Sequence, residues 1–118
     1  MNDTLKILAQ VVGVVLTVVG IVGFFTDGNL LAFGVNGLHN VVHLLTGVIG
    51  LWAGFSGGGD YAQQYNKWLG VVYVLVAVLG FVAVGFMETL LNVNMADNIL
   101  HLVLGVVLAG VGFGMKSS

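Results

Sequence analysis

Four apolar runs divide this chain, each near the length needed to cross a hydrocarbon core as a helix: roughly Leu5–Phe25, Leu38–Phe55, Trp68–Met87 and Ile99–Met115. About 20 helical residues span a bilayer core, with latitude for tilt. No proline interrupts the runs, so each helix can satisfy its own backbone groups, as hydrocarbon demands. A transmembrane β-barrel would need shorter segments of alternating polarity, which these are not. The expected fold is therefore an all-α integral membrane protein, a four-transmembrane-helix bundle forming one domain over residues 1–118. With 58% hydrophobic and 7% charged residues, a soluble domain of this size would lack the polar surface to cover its core. The first run is too long for a signal-peptide core and has no Ala-x-Ala-like site before "TDGN", so it reads as a retained helix.

The polar minority excludes several function classes. Without cysteine there is neither a disulfide framework nor a thiolate metal site. The only basic residues besides histidine are Lys6, Lys67 and Lys116, too few to make a phosphate-binding patch, so nucleic acid is not a partner. The glycine-rich "SGGGD" lacks the lysine and hydroxyl spacing of a phosphate-cradling loop. Four crossings place all three lysines on one face, which the positive-inside tendency makes cytoplasmic. Both termini are then cytoplasmic and the protein resides in the cytoplasmic (inner) cell membrane. Asp27, Glu88, Asp97 and His39 gather at the opposite face, and Trp52, Tyr61, Tyr65 and Trp68 fall where an inner aromatic belt belongs. Ser56, Ser117 and Ser118 lie on the side away from every histidine, so no Ser–His nucleophile can form. The chain reads as non-enzymatic.

The second run opens with "NGLHNVVHLLTGV", Asn36 to Val48, and the fourth with "NMADNILHLVLGV", Asn94 to Val106. At an offset of 58 residues Asn36, Asn40, His43 and Gly47 match Asn94, Asn98, His101 and Gly105. A weaker match, at an offset of 60, pairs Val11, Val14, Val18 and Gly20 with Val71, Val74, Val78 and Gly80. These matches imply two tandem parallel helical-hairpin repeats, about residues 5–55 and 65–115, related by a pseudo-two-fold axis along the membrane normal. Asn36 and Asn94 stand where a side chain can cap a helix, and Asp97 falls in a first turn, favoured by the helix dipole. "SGGGDYAQQYNK" reads as the loop joining the repeats.

Helical spacing aligns two small-and-polar stripes, His39–His43–Gly47–Gly50–Gly54 and Asp97–His101–Gly105–Ala109–Gly112, which belong against protein rather than lipid. Two readings follow. In the first, His39, Asn40, Asp97, Asn98, Asn36 and Asn94 form a polar structural cluster, with His39 and Asp97 as one lock near the outer surface and no cofactor. In the second, His43 and His101, at one depth, are axial ligands of a haem or chlorophyll-type tetrapyrrole, and Gly47 and Gly105 leave room for the ring. Haem propionates would find no lysine or arginine nearby. A divalent metal on His39, His43 and Asp97 lacks a fourth protein ligand, and the repeat supplies no second pair, so no metal is expected. A proton path is not expected either, because the stripes continue inward only with glycine, alanine and Thr46. Further small faces, Gly13, Thr17, Gly20 and Gly23 on the first helix and Gly70, Ala77, Gly80 and Ala83 on the third, suit internal packing or docking of another membrane protein or a second copy.

The segment "LHNVVHLLTGVIGLWAG" and its echo "ADNILHLVLGVVLAG" resemble domain-of-unknown-function family 4383 of small membrane proteins. That resemblance implies four membrane helices and no agreed activity. The functional expectation is a structural or accessory subunit acting through helix–helix association in lipid.

Overall fold

The computed structural model describes residues 3–56 and 59–115; Lys116, Ser117 and Ser118, used above for orientation and to exclude catalysis, lie outside the described residues, as do positions 57 and 58 of the central loop. In chain order the elements are α1 (Asp3–Gly23), β1 (Asn29–Leu30), β2 (Phe33–Gly34), α2 (Gly37–Phe55), α3 (Ala62–Val82), α4 (Val84–Leu91) and α5 (Met95–Gly114). Four of the helices, α1, α2, α3 and α5, are long and apolar enough to cross a membrane. Each buries one narrow stripe, such as Leu5, Ala9, Val12, Leu16, Gly20 and Gly23 on α1. The rest of each helix leaves large apolar side chains exposed, among them Val18, Leu45, Leu75 and Val103.

Two expectations about element boundaries change. The polar stretch ahead of Trp68 is largely helical, because α3 starts at Ala62 and turns Asn66 inward, where its Nδ2 donates to Leu5 O at 3.0 Å. The run from Trp68 to Met87 is two helices rather than one, interrupted at Ala83 (φ −124°, ψ 55°). The break lets α4 form a small apolar cluster of its own, Met87 and Leu91 with Val93 and Val76. Asn92 then ends α4 in the left-handed conformation, φ 54°, which asparagine tolerates better than most residues. Between α1 and α2 the chain instead makes a two-stranded antiparallel ribbon that pairs Asn29 with Gly34 and Leu30 with Phe33.

Close helix contact explains most of the glycines. A Cβ at Gly13 would lie 2.6 Å from Leu51 N, and one at Gly54 2.8 Å from Gln10 N. In the second half, a Cβ at Gly70 would lie 2.7 Å from Ala109 Cα, and one at Gly112 2.5 Å from Lys67 N. The α1 positions Gln10 and Gly13 thus correspond to Lys67 and Gly70 at an offset of 57, while Leu51 and Gly54 on α2 correspond to Ala109 and Gly112 at 58. Gly23 against Asn40 and Gly80 against Asn98 follow the same offsets. The offset of 60 for the first helix is therefore corrected to 57, which aligns Gly13-Val14-Val15 with Gly70-Val71-Val72 and Gly23-Phe24 with Gly80-Phe81. Valine occurs too often to fix a register, whereas a glycine pressed against a backbone can occupy only one.

Candidate functional site

The starts of α2 and α5 are built alike. Asn36 Oδ1 accepts from His39 N at 2.9 Å, and Asn94 Oδ1 accepts from Asp97 N at 2.9 Å, so each asparagine satisfies a free amide of the first turn. Their amide nitrogens reach across the molecule: Asn36 Nδ2 donates to Leu90 O at 3.1 Å and Asn94 Nδ2 to Ala32 O at 3.0 Å. These two bonds exchange with one another when each residue is replaced by the one 58 positions away.

The remaining members of the polar cluster separate into different roles. Asp97 is engaged at its own helix start, where Oδ2 accepts from Asn94 N and from Gly34 N, both at 2.9 Å. His39 turns elsewhere, with Nδ1 at 3.0 Å from Leu91 O. A direct His39–Asp97 lock is therefore absent among the described hydrogen bonds, because each side chain meets backbone on the opposite half. Asn98 Nδ2 donates to Gly80 O at 3.0 Å, and Asn40 packs over Gly23. Asn92, whose part the sequence did not suggest, joins the loops by donating Nδ2 to Gly28 O at 3.0 Å and Val35 O at 2.8 Å.

One helical turn further in, three imidazoles converge. The centroids of His39 and His43 are 4.3 Å apart, those of His39 and His101 5.5 Å, and those of His43 and His101 6.2 Å. Tyr73 on α3 closes the group, its ring 5.3 Å from that of His101. The three histidines are 2%, 7% and 3% exposed, respectively, more thoroughly buried than most aliphatic residues here. They line a cavity of about 30 Å³ together with Tyr73, Thr46 and the apolar Val42, Val72, Val76 and Leu91. One potential ligand nitrogen from each ring lies within 4.8 Å of the other two. A carbonyl can only accept, so the bond to Leu91 places a proton on His39 Nδ1. His39 Nε2, His43 Nδ1 and His101 Nδ1 are buried with no hydrogen-bond partner among the described residues.

Matching depth for His43 and His101 follows from the sequence repeat, but the arrival of His39 beside both does not. Sequence spacing instead joined His39 and His43 to Asp97. Gly47 and Gly105 do not face this cavity: a Cβ at Gly47 would meet Thr17 Oγ1 at 2.6 Å, and one at Gly105 would meet Val74 N at 2.7 Å. The space each glycine leaves is filled by the neighbouring helix. Neither it nor a cavity of about 30 Å³ admits a macrocycle, so the residues present do not fit a tetrapyrrole. Tyr65 also departs from expectation. It is buried, with its hydroxyl donating to Thr46 O at 2.8 Å, whereas Trp52, Tyr61 and Trp68 remain exposed.

Comparison with protein families finds one match, to the Domain of unknown function (DUF4383), over residues 6–114. Neither the curated proteins nor the solved structures give a match.

Proposed function

Since this chain belongs to the DUF4383 family, whose description carries no activity, we propose from its geometry that it is a non-enzymatic integral membrane protein, a structural or accessory component acting through helix–helix association. Its four long helices cross the cytoplasmic membrane as two tandem hairpins, about residues 5–55 and 65–115, with both termini on the cytoplasmic side. The hairpins are related by an approximate two-fold axis along the membrane normal.

The observation that carries this reading is the exchanged pair of bonds, Asn36 to Leu90 and Asn94 to Ala32. A two-fold axis turns each bond into the other, whereas unrelated halves have no reason to repeat them. The constant glycine offsets support the same relation, and the exposed valine, leucine and phenylalanine side chains suit acyl chains as the surrounding medium. Because Gly13, Gly20, Gly23, Gly70 and Gly80 all pack inside the molecule, a further membrane protein or second copy would dock on larger apolar side chains.

Labelling of single cysteines tests the topology without background, since the chain has no native thiol. Asp27 and Asp60 are exposed and lie at opposite ends of the long helices. In intact cells, Asp27→Cys should react with a membrane-impermeant maleimide, and Asp60→Cys only after permeabilisation. Reaction of both from one side would rule out the bundle as a membrane-spanning unit, and the reverse pattern would invert its orientation.

A further inference from the structure

We propose that His39, His43 and His101 form a binding site for a single copper ion in its monovalent state. Three features point there. First, three imidazoles from two helices meet in the interior, and one potential ligand nitrogen from each lies within 4.8 Å of the other two. Ligands about 2.0 Å from a shared metal in a trigonal plane sit about 3.5 Å apart, so closure takes rotations of roughly 1 Å at the ring tips. Second, each ring has one nitrogen, His39 Nε2, His43 Nδ1 and His101 Nδ1, that is buried and without a hydrogen-bond partner among the described residues, and a metal would give such an atom a partner. Third, His39 already has the outer hydrogen bond that holds a ligating imidazole in one tautomer, from Nδ1 to Leu91 O at 3.0 Å.

Charge selects the ion. Imidazole suits copper and zinc, and no carboxylate lines the cavity to neutralise a divalent charge. The cost of placing an ion in a low-dielectric interior grows with the square of its charge, so a monovalent ion is favoured there. Zinc with three protein ligands also keeps a water in its fourth position. A monovalent d¹⁰ copper ion is content with three nitrogens in a plane.

The test is anaerobic titration of the purified full-length protein in mild detergent with Cu(I), competed against a chromogenic Cu(I) chelator, with Zn(II) titrated in parallel. The expected result is one Cu(I) per chain. His43→Gln and His101→Gln should each weaken binding by more than about 100-fold, beyond what loss of an outer partner alone costs. Circular dichroism identifies any variant that fails to fold. In that event X-ray absorption on the wild-type protein decides alone: three nitrogen neighbours near 2.0 Å with an imidazole outer-shell pattern support the site. A sulfur neighbour, fewer than three nitrogens, stoichiometric binding of Zn(II) but not Cu(I), or a folded wild-type protein holding only water in the cavity overturns it.

Discussion

Replacing Gly105 by alanine probes the contact between α3 and α5 at a point where the neighbour cannot yield by rotating a side chain. The new Cβ would lie 2.7 Å from Val74 N and 2.9 Å from Gly70 O, both backbone atoms, whereas ordinary contact begins at 3.4 Å. The two helices must therefore part by about 0.7 Å along that line, and overpacking of this kind costs about 1–3 kcal/mol. Alanine also favours helix over glycine by about 1 kcal/mol, which partly masks the loss. Gly110→Ala removes that ambiguity, since Gly110 is in the same helix and a Cβ there meets nothing within 4 Å. The difference between the two variants isolates the contact. Denaturation in mixed micelles, followed by the fluorescence of Trp52 and Trp68, should place Gly105→Ala about 1–3 kcal/mol below Gly110→Ala. Gly47→Ala should behave like Gly105→Ala, because its Cβ would meet Thr17 Oγ1 at 2.6 Å and Leu16 C at 2.9 Å. As the two sites share no contact partner, their effects should add within about 0.5 kcal/mol. Equal stabilities for Gly105→Ala and Gly110→Ala would falsify the close approach of α3 and α5.

Three other outcomes follow from particular side chains. Asp97→Ala leaves Asn94 N and the buried Gly34 N without their acceptor and should lower stability by about 2 kcal/mol or more, with amide exchange accelerating at Gly34. Leu31→Gly should raise the unfolding midpoint, because Leu31 is held at φ 57° while 89% exposed, and left-handed backbone costs a leucine about 1–2 kcal/mol; an unchanged or lowered midpoint would contradict the turn conformation. Purified protein should show no porphyrin absorption band, with or without added haem, given the size of the cavity and the packing at Gly47 and Gly105; a strong visible band lost in His43→Gln would restore the tetrapyrrole reading.

Much of the architecture is legible in the chain because lipid-length helices need long apolar runs, and these are visible without any knowledge of packing. Asn36 and Asn94 were equally readable, since a capping side chain acts on its own first turn. What sequence spacing could not supply was the partner of each polar group across the molecule. His39 and Asp97 lie 58 residues apart, each at the third position of its helix, yet one reaches Leu91 and the other Gly34, because the segments ahead of the two helices differ, a β1–β2 ribbon before α2 and the helix α4 before α5. The break at Ala83 has no proline or polar signal and rests on how Met87 and Leu91 are buried. The third imidazole was hidden for the same reason: placing His39 beside His101 depends on how the two hairpins dock, and a helical period describes only one hairpin at a time.

The account rests on two hairpins docked so that three imidazoles share one interior point. Because the chain contains only three histidines, protein labelled with ¹³C and ¹⁵N in histidine alone and reconstituted into bilayers gives magic-angle-spinning spectra without overlap from other residues. Imidazole cross-peaks are expected between His43 and His101 and between His39 and His101, with no transfer from any ring to acyl-chain protons. A His101 ring that contacts lipid, or correlates with neither of the other two, would contradict the docking of the halves.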